Sequence, residues 1–257
     1  REAVTYSFVP AEVEQMLNPE HQPIRLANPI SEELAIMRST LWSGLLPAVA
    51  KNLNRQQSRV RLFESGLNFV NSDSGILQRK QLAGVITGPK SDEHWEGKAK
   101  QVDFFDIKGD VEALLAEATQ CTYSFIAVEH PALHPGQSAQ VTADGKSVGW
   151  VGALHPRLEK SFGLSQSVFL FELDLAEASE KILPAYQKLS KFPSIRRDVA
   201  LIVDKSVSSA TISNVITSSE INELISHRIF DVYEGDGVEA KQKSLALGLI
   251  FQDFSRT

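Results

Sequence analysis

Three basic residues and one aromatic crowd into Lys191-Phe192-Pro193-Ser194-Ile195-Arg196-Arg197-Asp198, an extended, proline-containing segment leading into a strand. Arginine can grip a phosphate through two parallel hydrogen bonds and can stack on a base. A phenylalanine ring can stack on a splayed base. RNA contact is the chemistry this pattern suits. The plainer alternative is that Arg197 and Asp198 pair with other side chains at the start of the strand.

The other candidates carry less. No pair among His21, His94, His130, His134, His155 and His227 has metal-ligand spacing on a helix, and the single cysteine, Cys121, cannot complete a zinc set. His130 and His134 are four apart, but each is followed by a proline, so no helix presents both; they read as loop or partly buried histidines. Ser138 lies in His134-Pro135-Gly136-Gln137-Ser138, which is not a nucleophile elbow, and a Pro-Gly turn before a strand explains it. The glycines of Gly84 to Gly88 and Gly149 to Gly152 lack the Gly-Lys-Ser/Thr of a phosphate loop and read as close packing or bulges. Asp103, Asp106 and Asp110, and Asp92, Glu93 and Glu96, read as helix-start acids and solvated loop charge rather than magnesium ligands.

The 257 residues, 42% hydrophobic and 23% charged, make one large domain or two smaller ones and exclude a disordered chain. From Lys188 onward nine Lys/Arg balance nine Asp/Glu; residues 1–187 carry 17 basic and 23 acidic residues and the whole net charge of −6. An acidic body binds nucleic acid poorly without shape, so any RNA contact belongs to the neutral tail. One cysteine permits no internal disulfide and fits a reducing, cytoplasmic setting. No apolar run approaches the roughly 18 residues of a membrane helix, and the first residues lack a signal-peptide stretch. Both ends read as cut, so the chain is expected to be an excised piece of a longer one.

The elements that would position these groups follow from pattern. Val4 to Val9, Arg59 to Phe69, Leu82 to Thr87 and Val168 to Leu175 read as strands, with short helices over Ala11 to Met16 and from near Ser43 to Leu53. Asp106 to Ala118 reads as an amphipathic helix with acids at its start. Ser138 to Ala143 and Lys146 to Leu154 flank Asp144-Gly145, a hairpin signal. These predict an α+β domain on a mainly antiparallel sheet. After a boundary near Ile182 to Gln187 come strand Asp198 to Val203, a helix over Ser208 to Ser219, and strands Ile229 to Tyr233 and Ser244 to Phe251. This β-α-β-β order predicts an incomplete ferredoxin-like unit.

Three stretches are similar to one family: Asn54 to Gly66; His130 to Ala139 with Gly149 to Pro156; and Phe192 to Ala200 with Ser244 to Thr257. Together they resemble the C-terminal part of the bacterial phenylalanine–tRNA ligase β subunit. The resemblance implies a class II synthetase-like, non-catalytic core over 1–185 and a ferredoxin-fold anticodon-binding domain, truncated at its C-terminus, over 188–257. It implies a catalytic α subunit as partner in an (αβ)2 assembly, tRNA(Phe) as ligand, no membrane, and no cofactor on this chain; ATP and Mg2+ serve the whole enzyme. The site residues expected on this reading are Lys191, Phe192, Arg196 and Arg197, with Ser255 and Arg256 as further RNA contacts.

Class II catalysis needs one arginine on a strand and a second in a Gly-rich final motif. Arg59-Val60-Arg61-Leu62-Phe63-Glu64 looks like a relic of the first, and Phe169 to Leu175, where the second should lie, has neither Arg nor Gly. Without a cation there the triphosphate has no partner, so no adenylate formation is expected. The helix Leu41 to Leu53 and the strand Arg59 to Phe69 are then expected to be interface elements. The rival is an enzyme using Arg61, Glu64 and His155 for adenylation or hydrolysis; a third reading is a protein-binding module without RNA.

Overall fold

A computed structural model describes residues 1–73, 75–95, 97, 100–118, 121–178, 186 and 189–253. The chain divides into two units, Arg1–Leu183 and Pro184–Thr257.

The first unit opens with strand β1 (Phe8–Val9), helix α1 (Ala11–Leu17), and strands β2 (Ile24–Arg25) and β3 (Ile36–Met37), which form a small sheet in the order β1-β3-β2. Of the strand expected over Val4 to Val9, only Phe8–Val9 pairs; Ala3 instead donates its amide to the Phe63 carbonyl. Helix α2 (Trp42–Leu53) leads into strands β4 (Val60–Ser72) and β5 (Gly75–Thr87), helix α3 (Phe104–Ala118) and strand β6 (Tyr123–Ala127). Strands β7 (Leu133–Ala143) and β8 (Lys146–Leu154), helix α4 (Pro156–Ser161), strand β9 (Val168–Asp174) and helix α5 (Leu175–Ala178) complete it. The large strands form a six-stranded sheet, β4-β5-β9-β8-β7-β6, antiparallel at each pairing.

Both sheet faces are covered, which is why β9 is apolar almost throughout. Val168 and Leu170 pack with Leu41, Trp42, Leu45, Leu46 and Val49 around α2. Phe169, Phe171 and Leu173 point the other way, onto Ile107, Val111 and Leu115 of α3. Residues two apart share a face and neighbours oppose, so one strand serves two cores. The apolar stripe of α2 packs inside its own unit and leaves Pro47 and Lys51 as the exposed positions of the helix. Asp144 (φ 47°) and Gly145 (φ 79°) make the positive-φ turn their types predict. The β4–β5 hairpin is longer than its apolar pattern, pairing in register out to Ser72–Gly75. Its outer residues Gln78 to Lys80 are exposed, and side-chain hydrogen bonds from Asn71 to the Gln22 carbonyl at 3.1 Å and from Ser72 to the Gly75 carbonyl at 2.8 Å add to the backbone pairing there.

A buried ion pair locks the start of α2 to the hairpin. Arg38 Nη1 donates to Glu64 Oε1 at 2.8 Å and to Thr5 Oγ1 at 2.9 Å, and Nε donates to the Leu67 carbonyl at 2.9 Å. Both side chains are 3% exposed. Gly66 makes room: a Cβ there would lie 2.4 Å from Arg38 Nη2.

In the second unit, strand β10 (Ile195–Asp204), helix α6 (Ser209–Ser218), and strands β11 (Leu224–Tyr233) and β12 (Gln242–Phe251) give a three-stranded antiparallel sheet in the order β10-β12-β11. Ser208 Oγ accepts the Thr211 amide at 3.1 Å and caps α6. The helix covers one face through Ile212 and Ile216 against Leu201, Val203, Leu245 and Leu247. The other face is open among the described residues of this unit, with Ile202 60% and Phe230 49% exposed. Among the described residues no helix is long and apolar enough to cross a membrane.

Removing one member of a buried pair strands the other charge, at a cost of about 3–5 kcal/mol. Glu64→Leu is therefore expected to lower the unfolding free energy by that amount, and Arg38→Met/Glu64→Leu to recover at least half of it. Urea denaturation of the natural chain, single and double variants checks this; a double variant no more stable than the single one defeats it.

Candidate functional site

Two places gather polar chemistry, one in each unit. In the second, β10 extends back to Ile195, so Arg196 and Arg197 lie within a paired strand rather than ahead of it. Strand alternation then separates them. Arg196 stands on the open face, its guanidinium 5.0 Å from the centre of the Phe230 ring and its Nε 2.7 Å from Asp198 Oδ1. It lies over Gly248, where a Cβ would come within 3.1 Å of it. Arg197 is exposed but projects to the side that α6 covers further along the strand. Lys191 is exposed. Phe192 is half-buried; its carbonyl accepts from Gln252 Nε2 at 2.6 Å and its amide donates to Ser190 Oγ at 3.2 Å, which pins this segment beside the end of β12. Ser255 and Arg256 lie outside the described residues.

Sequence reasoning missed Phe230 and Arg228. Arg228 pairs with Gly248 from the far side, so it shares the open face with Arg196. Phe230 sits at the irregularity between Ile229 and Asp231, where a bulge puts it out of step with simple alternation. A sequence shows Ile229-Phe230-Asp231-Val232-Tyr233 as a strand but not where its register slips.

In the first unit, a cavity of about 250 Å³ opens where the α2 face of the sheet turns polar. Asn68, Arg79, Glu172 and Asp174 contribute to its floor, and Trp42, His130 and Trp150 to its wall. The His130 ring is 5.4 Å from Trp42 and 4.8 Å from Trp150. Its Nδ1 accepts the Ala132 amide at 3.1 Å, and burial pushes the imidazole down to about 4. Glu172 takes the Leu41 amide at 2.7 Å and the Thr40 hydroxyl at 2.9 Å, so a carboxylate from β9 caps the start of α2. Burial, with Glu14 nearby, pushes Glu172 up to about 7 against those two hydrogen bonds. Burial also raises Glu14, whose Oε1 accepts from the amide and hydroxyl of Ser39.

This floor does not fit ATP. The β9 residues facing the cavity are carboxylates. Arg61 belongs to the opposite sheet face, where it reaches Asp110 of α3 at 3.9 Å, and Arg59 faces Asp92 at 3.7 Å. Arg61, Glu64 and His155 are not brought together: Glu64 is buried against Arg38, and the His155 Nδ1 caps α4 by accepting the Arg157 amide. Ser138 donates its hydroxyl to the Val128 carbonyl at 2.7 Å. Among the described residues no group of three or more His, Cys, Asp or Glu is placed to hold a metal ion.

A six-stranded antiparallel sheet followed by an open-faced β-α-β-β unit is the α+β architecture of a class II aminoacyl-tRNA synthetase-like protein. Residues 1–175 match the family model for the phenylalanyl tRNA synthetase beta chain CLM domain, and residues 190–257 match that for the ferredoxin-fold anticodon binding domain. The chain belongs to the phenylalanyl tRNA synthetase beta chain family. It is 47% identical over 258 residues to a phenylalanine–tRNA ligase beta subunit of Pseudomonas fluorescens, covering 100% of this chain and 33% of that protein. The corresponding figures for the beta subunit of Methylococcus capsulatus are 46% over 257 residues, 100% and 32%. The chain thus spans about one third of the length of the curated relatives it matches.

The raised Glu172 value gives a pH signature. A carboxyl whose folded value of about 7 lies above its ordinary 4.5 stabilises the fold fully below pH 4.5 and loses that contribution as pH rises through 7. Glu172→Gln mimics the protonated form, so its stability relative to the natural chain is expected to improve by up to about 3 kcal/mol between about pH 5 and about pH 8. Unfolding midpoints at the two pH values measure this, and a pH-independent difference contradicts it.

Proposed function

We propose that this chain is a non-catalytic part of a phenylalanine–tRNA ligase. In this reading the first unit (residues 1–185) is a scaffold for the catalytic α subunit in an (αβ)2 assembly. The second (188–257) holds the anticodon region of tRNA(Phe). The chain supports ATP- and Mg2+-dependent charging without binding either group.

The observation that carries the RNA half is the Arg196 guanidinium set over the Phe230 ring on an uncovered sheet face, with Arg228 across β12. An aromatic and two cations on an open antiparallel sheet suit unstacked bases and their phosphates. Lys191, Phe192 and Arg197 supply flanking contacts, and Ser255 and Arg256 belong to the same proposal. For the scaffold half, the projecting hairpin presents Phe63, Leu67 and Ile76 on one face, 42%, 40% and 56% exposed. That apolar stripe is suited to a protein partner. The carboxylate floor beside β9 argues against adenylation, because like charge repels a triphosphate.

The test has two parts. The chain should co-purify with the matching α subunit and show no phenylalanine-dependent ATP–pyrophosphate exchange alone; exchange by the isolated chain contradicts the scaffold reading. In the reconstituted complex, Phe230→Ala should weaken tRNA(Phe) binding by about 1–3 kcal/mol, and Arg196→Ala should flatten the dependence of log affinity on log salt by about one unit. Unchanged affinity and slope in both variants would remove this face from the tRNA contact.

A further inference from the structure

Strand β6 lies at one edge of the six-stranded sheet. The Asp144 amide donates to the Thr122 carbonyl at 2.9 Å, and the Val128 carbonyl accepts the Ser138 hydroxyl at 2.7 Å, so both carbonyls point toward β7. Backbone groups of an antiparallel strand turn alternately to its two sides. Ser124 and Ile126 therefore bond β7, and Tyr123, Phe125 and Ala127 turn their amides and carbonyls outward. Among the described residues no backbone group answers them. The opposite edge differs: at Phe63 of β4 the chain's own Arg1 and Ala3 take the backbone bonds. An open edge is usually blunted by lysine, proline or a bulge. Tyr123-Ser124-Phe125-Ile126-Ala127 has none of these, and it pairs with β7 in unbroken register.

A hollow of about 480 Å³ lies beside this edge, on the α3 face of the sheet. Ala127 stands opposite Ala139, so two methyl groups make a shallow floor. Phe104 and Phe125 wall it, and Phe105, 74% exposed, forms its rim. Lys108 brings a cation: its Nζ lies 4.3 Å from the centre of the Phe125 ring and pairs with Glu112. Asp103 also lines the hollow, but its carboxylate already accepts the Phe105 and Asp106 amides, at 2.8 and 3.2 Å, at the start of α3. The edge thus offers backbone groups in a row, an apolar recess at Ala127 and a positive charge at Phe125.

We propose that β6 takes up an extended segment of another protein as a seventh strand, one that carries an acidic residue with a large apolar residue two positions away. The segment's backbone bonds Tyr123, Phe125 and Ala127. Its apolar side chain, opposite Ala127, enters the hollow. Its Asp or Glu, opposite Phe125 and on the same face by strand alternation, meets Lys108. A second copy of this chain is the poorer occupant, because pairing two β6 strands about Phe125 sets the two Lys108 ammonium groups against each other.

Fluorescence anisotropy of the labelled peptide Ser-Thr-Leu-Thr-Glu-Thr-Val-Ser, blocked at both ends, against the 257-residue chain tests this. Saturable binding with Kd below about 0.5 mM is expected, and at least about fivefold weaker binding when Lys replaces the peptide's Glu. Ala127→Pro removes an outward amide without removing a β7 bond, so it should weaken binding at least about tenfold with an unchanged unfolding midpoint. Lys108→Glu should reverse the preference between the two peptides, and this readout stands whatever the proline does to stability. Absence of saturable binding overturns the proposal. So does equal binding of the two peptides by the natural chain, a preference that Lys108→Glu leaves unreversed, or binding to a folded Ala127→Pro chain within about twofold of the natural value. A dimer of the natural chain in sedimentation that Ala127→Pro disperses would overturn it in favour of self-pairing.

Discussion

The Arg38–Glu64 pair is the constraint on which the first unit's arrangement rests. An ion pair taken out of water is tolerable only when its remaining donors and acceptors are also met. Here that requirement recruits Thr5 and the Leu67 carbonyl, so three segments distant in sequence are held at one point. The Arg38 backbone takes part as well: its amide donates to the Ser7 carbonyl and its carbonyl accepts from Phe69. The next residues, Ser39 to Trp42, start α2 and form one side of the cavity. Their positions are fixed from the hairpin side by this pair and from the sheet side by Glu172.

Strand alternation then decides which chemistry is possible. On β4, Arg61 and Glu64 are an odd number of residues apart, so they serve opposite faces and cannot cooperate on one substrate. On β9 the same rule sends Phe171 and Leu173 into the α3 core and Glu172 and Asp174 toward the cavity. On β10 it divides adjacent arginines, giving Arg196 to the open face. Residue type proposes chemistry, but the parity of a residue within its strand selects the partner it meets.

That is also where the sequence stopped being legible. Asp144-Gly145 and the apolar face of α3 act through neighbours a few residues away, and each appears as its pattern predicts. The class II-like sheet was legible through the motifs around Arg59, His134 and Phe192, and the β-α-β-β order through the strand and helix patterning that follows Ile182 to Gln187. Strand β6 and the outer hairpin were not: each pairs with the strand next in sequence, and the polar or mixed residues there leave little apolar pattern to read. The cavity was invisible because it joins residues from β4, β5, β8 and β9 with the start of α2. Phe230 was missed because a bulge in β11, which no residue type announces, turns it onto the face of Arg196.

Glu172 shows how one side chain can carry more than its structural role needs. The start of α2 has no side-chain cap of its own, and the Leu41 amide needs one acceptor. A glutamine would supply that acceptor through its amide oxygen and could donate to Thr40 through its nitrogen, without placing charge in a buried site. The carboxylate instead brings a negative charge near Glu14, and burial raises its proton affinity until it is half ionised near neutral pH. As a cap alone, that charge is surplus and destabilising.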